Sequence, residues 1–181
     1  EIVVGTATLP YDDYISCRKH HLAFSIFWND SWFGDVTDVL SERWGVKPSE
    51  WLVAMLEALE QDEGPAGALL DDFVDETHGE LFETREACAA FYAQDENFAR
   101  LCRGEIGDNL MYKYRARASF FAWPEVCAVA MGASRRLLAE RGVEDPDLDA
   151  LWVDLHRWVE ARHAHGRSVD EVTAPTEVPL S

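Results

Sequence analysis

Paired cysteines are missing from this chain. Cys17, Cys88, Cys102 and Cys127 are scattered, and no two of them form a C-x2-C pair. That spacing excludes a zinc knuckle, and it also excludes the closely spaced cysteine runs that hold iron–sulfur clusters. Each cysteine lies among apolar residues on an expected helix, so all four read as buried, reduced thiols of a cytoplasmic protein. Basic charge is short as well. There are 16 Lys and Arg against 34 Asp and Glu, a formal net charge of -18. A field of that sign repels nucleic acid and anionic membrane surfaces and favours a basic protein partner. No apolar run reaches the roughly 18 residues of a membrane span, and no signal peptide is visible. A Gly-rich phosphate loop and a nucleophile elbow are absent too.

Apolar and aromatic residues are plentiful. Hydrophobic residues make up 48% of the 181, with seven Trp and nine Phe. That suits one packed domain and argues against disorder. Residues 1–9, EIVVGTATL, are β-branched and bounded by Pro10, and predict a short strand-like segment. Pro10 opens a helix that runs to Gly34 or Gly45. Further helix starts are read at Pro48, Pro65, Thr84, Asp95, Asp108, Pro124 and Asp145-Pro146. The last helix stops at Gly166. Residues 167–181 carry two Pro and no helical period, and predict an extended tail. The expectation is an all-α, bundle-like single domain over 1–166, of about seven helices, with short extended ends.

The stretch CRKHHLAFSIFWNDSWF, residues 17–33, concentrates the candidate site residues. On a helix, Ile15, Leu22, Ile26 and Phe33 share one line, and Cys17, His21, Phe24 and Trp28 share another. Residues 22–28 are apolar nearly all round, which predicts the most buried helix of the fold. His21 is then expected on a buried face, with His20 beside it. Asn29 and Asp30 follow as polar groups that need partners or a purpose. Lys113, Arg115 and Arg117 form the one dense basic run, suited either to pairing with local acids or to holding a carboxylate or phosphate. The acidic run Asp71, Asp72, Asp75, Glu76 and Glu80 reads as a solvated helix face. Glu160-x-x-His163 and Asp75-x-x-His78 match half of a carboxylate–histidine metal motif, but with 34 acids and six His about one such pair arises by chance. His163 also falls in a polar, fraying helix end. No metal ligand is assigned.

The first 35 residues or so resemble a segment near the C-terminus of radical-SAM proteins that carry a cobalamin-binding domain. The resemblance is carried by Thr6-Ala7-Thr8, Tyr11-Asp12-Asp13-Tyr14, Arg18, His20-His21 and Trp28-Asn29-Asp30. It implies an accessory helical domain with no catalytic centre of its own. It also implies a longer parent chain whose upstream catalytic domains carry a 4Fe-4S cluster, S-adenosylmethionine and cobalamin. A start at Glu1 rather than Met fits an excised piece. The residue chemistry alone leaves two other readings open: a free-standing acidic helical interaction module, and a carboxylate–histidine metalloprotein.

Overall fold

The computed structural model describes residues 8–166. The expected tail 167–181, and all but the last two residues of the expected strand-like segment 1–9, lie outside them. The described residues are all-α, as expected, with helices α1 (Tyr11–Phe27), α2 (Gly34–Trp44), α3 (Pro48–Gln61), α4 (Pro65–Gly79), α5 (Arg85–Tyr92), α6 (Asp95–Cys102), α7 (Leu110–Phe120), α8 (Trp123–Glu140) and α9 (Leu148–Gly166). Among the described residues nine helices stand where about seven were expected, in part because the long opening helix is two. α1 ends at Phe27, and a turn through Trp28–Phe33 leads to α2. Ser31 takes a left-handed backbone there, at φ 54°, a conformation that cannot continue a helix.

The start signals work through specific bonds. Pro48 and Pro65 occupy first-turn positions, where a missing N–H costs nothing. The Lys47 N–H donates to Glu50 Oε2 at 2.8 Å. Thr84 Oγ1 accepts from the Ala87 N–H at 3.0 Å and caps α5. The caps of α6 and α7 sit one residue away from the expected Asp95 and Asp108, at Gln94 and Asn109. Before α4, Asp62 Oδ2 accepts from the N–H groups of Gly64 and Gly67 at 3.2 and 2.8 Å. The chain approaches so closely that a Cβ on Gly67 would stand 1.8 Å from the Asp62 carbonyl oxygen.

The helix that packs against the most of the fold is α3, not α1, and α8 buries the most side chains. α3 packs most extensively on α8, and also on α1, α4 and α2. Trp51 in its first turn is fully buried, 6.1 Å from Phe27 and 5.9 Å from Phe33 between ring centroids. Its indole N–H donates to Ser134 Oγ of α8 at 2.7 Å, and Ser134 donates in turn to the Ala130 carbonyl at 2.7 Å. Each such apolar side chain stabilises the fold by about 1.5–3 kcal/mol through burial. The apolar run of residues 22–28 misleads because Phe24 and Trp28 lie one turn apart on the outer side of α1.

α7 packs on α1 and α4, and α9 on α8 and α2. α9 is fastened to α2 by Asp35, whose Oδ2 accepts from Trp158 Nε1 at 2.7 Å and from Arg162 Nη1 at 2.6 Å. His163 was expected in a fraying polar end. It is buried instead, stacked on Trp123 with ring centroids 3.7 Å apart and planes within 5°, with Trp32 edge-on at 5.1 Å. α5 and α6 pack chiefly on each other.

Candidate surface on helices α1 and α7

α1 has two faces of opposite character. Ile15, Leu22, Ile26 and Phe27 point into the core, and Phe33 joins them after the turn. Cys17, His20, His21, Phe24 and Trp28 are exposed on the other side. The expected burial of His21 is therefore overturned. Its line of neighbours was read correctly, but that line faces outward, because the packed side of α1 is taken by Leu22, Ile26 and Phe27. His20 Nδ1 lies 2.8 Å from the Ser16 carbonyl, within the same helix. The thiols are corrected for the same reason: Cys17 and Cys102 are exposed, Cys88 is half-buried, and only Cys127 is buried.

Arg18 is half-buried, with its guanidinium 5.2 Å above the Phe73 ring and its Nε buried without a hydrogen-bond partner. Asn29 is exposed. Asp30 is half-buried and sits 3.3 Å from Arg115 Nε. The structure thus brings together two residues that the sequence set apart by 85 positions.

The basic run of α7 is fully engaged. Lys113 Nζ donates to Glu76 Oε1, and the Tyr114 hydroxyl donates to Glu76 Oε2 at 2.7 Å. Arg117 Nη2 donates to Asp72 Oδ2 at 2.7 Å. Arg115 pairs with Asp30, and its guanidinium also lies 5.7 Å from the Tyr112 ring. All three cations have acid partners on other elements, so the run is a fastening between helices rather than a free anion cradle.

The fastening shows in the titrations. Burial pushes the Glu76 carboxyl up, but the hydrogen bonds from Lys113 and Tyr114 outweigh it and hold the group below its usual range. Burial and the bond to Glu76 push the Tyr114 hydroxyl well up. Glu80 is raised, chiefly by burial, with Glu76 beside it. The acidic run is thus corrected in part. Asp71, Asp72 and Asp75 are exposed as expected, while Glu76 and Glu80 are half-buried and bonded.

With these cations paired, the exposed groups that stand out on α1 and α7 are aromatic. Phe24 and Trp28 lie 6.2 Å apart between centroids on α1. Tyr112, Phe120 and Phe121 are 65%, 54% and 84% exposed at and just beyond α7. Between the two helices, Arg115 of α7 pairs with Asp30 just after α1 and lies over Tyr112. Isolated exposed aromatics are ordinary; here several stand on two helices that pack on each other. The contribution of α7 was missed in the sequence. Its only signal there was Phe120-Phe121 just before the helix start at Pro124.

The half-motifs for metal do not converge. Glu160 is exposed, 3.6 Å from His156 Nε2, while His163 stacks inward on Trp123. His78 Nδ1 lies 2.7 Å from the Tyr11 hydroxyl, and Asp75 is exposed. Among the described residues no group of three or more His, Cys, Asp or Glu could hold a metal ion. None of their helices is long and apolar enough to cross a membrane.

Comparison with family models, curated proteins and solved structures finds no match to this chain. The functional reading therefore rests on the surface and on the sequence pattern that it displays.

Proposed function

We propose that this chain is a helical accessory domain of a cobalamin-binding radical-SAM enzyme, without a catalytic centre of its own. In this reading it packs onto the catalytic domains through the outer face of α1 and α7. The observation that carries the reading is how the resembling residues divide. The apolar run among them builds this chain's own core, through Leu22, Ile26 and Phe27. Arg18 and Asp30 are half-buried and engaged with Phe73 and Arg115, while His20, His21, Trp28 and Asn29 stand on the outside, where the core gives no reason for them. A docking role gives one.

The 4Fe-4S cluster, S-adenosylmethionine and cobalamin belong to the catalytic domains in this proposal. The cysteines here do not fit a cluster: two are exposed, one is half-buried and one is buried. The charge of -18, together with the exposed aromatics of α1 and α7, suits a partner with apolar groups flanked by Lys and Arg.

The test begins with the gene. An upstream reading frame in the same chain that encodes C-x3-C-x2-C supports the proposal, and a frame without it overturns it. The catalytic portion is then produced separately and titrated with this chain by calorimetry. Binding that weakens at least tenfold in the Trp28→Asp/Phe121→Asp variant is the expected result. Unchanged binding in that variant refutes the assignment of the face.

A further inference from the structure

Residues 81–109 stand apart from the rest of the fold. The hydrophobic core contains no residue from this stretch, and Asn97 is its one buried side chain. The stretch organises itself locally. Phe82, Phe91 and Tyr92 pack on one another with centroids 5.1–6.1 Å apart. Asn97 Nδ2 donates to the Phe91 carbonyl at 3.0 Å and to Gln94 Oε1 at 3.3 Å, which fixes the turn between α5 and α6. The result is a two-helix hairpin with its own small aromatic centre.

Its base is closed by one bond across the neck. The Gly107 N–H donates to Glu80 Oε1 at 3.0 Å, joining the strand of chain that leaves the hairpin to the one that enters it. The exit is built from two left-handed glycines, Gly104 at φ 69° and Gly107 at φ 80°. A Cβ on Gly107 would stand 2.6 Å from Leu101 Cδ1. Glu80 faces charged or titratable groups from four helices: Glu76 on its own side, Lys113 of α7, Arg18 of α1 and Tyr92 of α5. The neck adjoins the start of α1, where Tyr11 reaches His78.

We propose that the α5–α6 hairpin is a latched flap, which opens from the body as one unit while the core stays folded, with the Glu80–Gly107 bond as its latch. Little apolar surface is lost when it opens, because the hairpin keeps its own aromatic contacts. Regions built in this way open well before the global unfolding transition. The proposal does not depend on the docking role of α1 and α7, which lie on the body.

The test is native-state hydrogen exchange of the whole chain, read by mass spectrometry. Amides of residues 85–102 are expected to exchange together, at least about a hundredfold faster than those of α3 and α8. Glu80→Ala removes the latch and is expected to speed the hairpin about tenfold, leaving α3 and α8 unchanged. Glu80→Gln keeps an acceptor for the Gly107 N–H without the half-buried charge, and is expected to leave the hairpin as slow as in the parent chain or slower. Gly107→Ala attacks the latch from the other side, and is expected to behave like Glu80→Ala. Protection of the hairpin equal to that of α3 overturns the flap. Unchanged exchange in Glu80→Ala, or equal acceleration in Glu80→Gln and Glu80→Ala, overturns the latch.

Discussion

Replacing Ser134 by Ala tests the centre of the fold with the loss of one oxygen. Ser134 is fully buried, and its hydroxyl is the acceptor for the Trp51 indole N–H at 2.7 Å. Removing it changes the volume little but strands a donor that no water reaches. A stranded buried donor costs about 1–3 kcal/mol. For a chain of this size, 2 kcal/mol corresponds to a melting temperature lower by about 4–8 °C. Trp51→Phe removes the donor and part of the ring, and is expected to cost about 2–3 kcal/mol through lost burial. In that background Ser134 still has the Ala130 carbonyl as its own acceptor, and no indole N–H remains to be stranded. Ser134→Ala should then cost only about 0.5 kcal/mol, so the double-mutant cycle should show a coupling of about 1 kcal/mol or more. Urea unfolding followed by circular dichroism measures all four proteins. Costs that add within about 0.5 kcal/mol refute the view that this bond joins α3 to α8.

The two faces of α1 predict opposite responses. His21→Ala and Phe24→Ala should each change stability by less than about 0.5–1 kcal/mol, whereas Phe27→Ala should cost about 3–5 kcal/mol, as thermal or urea melts will show. Glu76 has a depressed folded-state pKa, so its contribution is present above the ordinary carboxylate range and lost as the pH falls through that range toward the folded value. The stability gap between the parent chain and Glu76→Gln is therefore expected to be widest at neutral pH and to shrink on acidification, read as urea midpoints at several pH values. Among the thiols, Cys17 and Cys102 should react quickly with an aromatic disulfide reagent. Cys127, buried and with its pKa pushed up to about 12 by burial and by Glu160, should react only on unfolding. Gly67→Ala should cost at least about 2 kcal/mol, because its methyl group meets a backbone carbonyl that cannot move aside cheaply; a melt unchanged from the parent would rule this out.

Helix starts were legible in the sequence because they are local. A proline at a first turn, or a threonine three residues before an available N–H, states its bond without reference to the rest of the chain. The side of a helix that faces the core was less legible. Between Leu22 and Trp28 both sides of α1 are apolar, and only the positions of α3, α4 and α7 decide that Phe27 turns in and Phe24 turns out. Pairings between distant residues were out of reach. Arg115 reads as one member of a basic cluster until the turn after α1 brings Asp30 beside it. His163 reads as part of a polar helix end until Trp123 lies flat against it. The surface was visible only in half, since the residues on α1 were conspicuous and those around Phe121 were not.

The place of α3 between α1 and α8 also sets a timetable. Trp51 and Ser134 are 83 residues apart. At the usual pace of synthesis, about 5–20 residues per second, some 4 to 17 seconds separate their appearance. Through that interval the face of α3 that α8 will cover, including Trp51, has no lasting shelter. The newborn chain therefore passes through a stage in which the most apolar of its described helices is half-clad. The risk of aggregation during production is concentrated there, before residues 123–140 arrive to close the core.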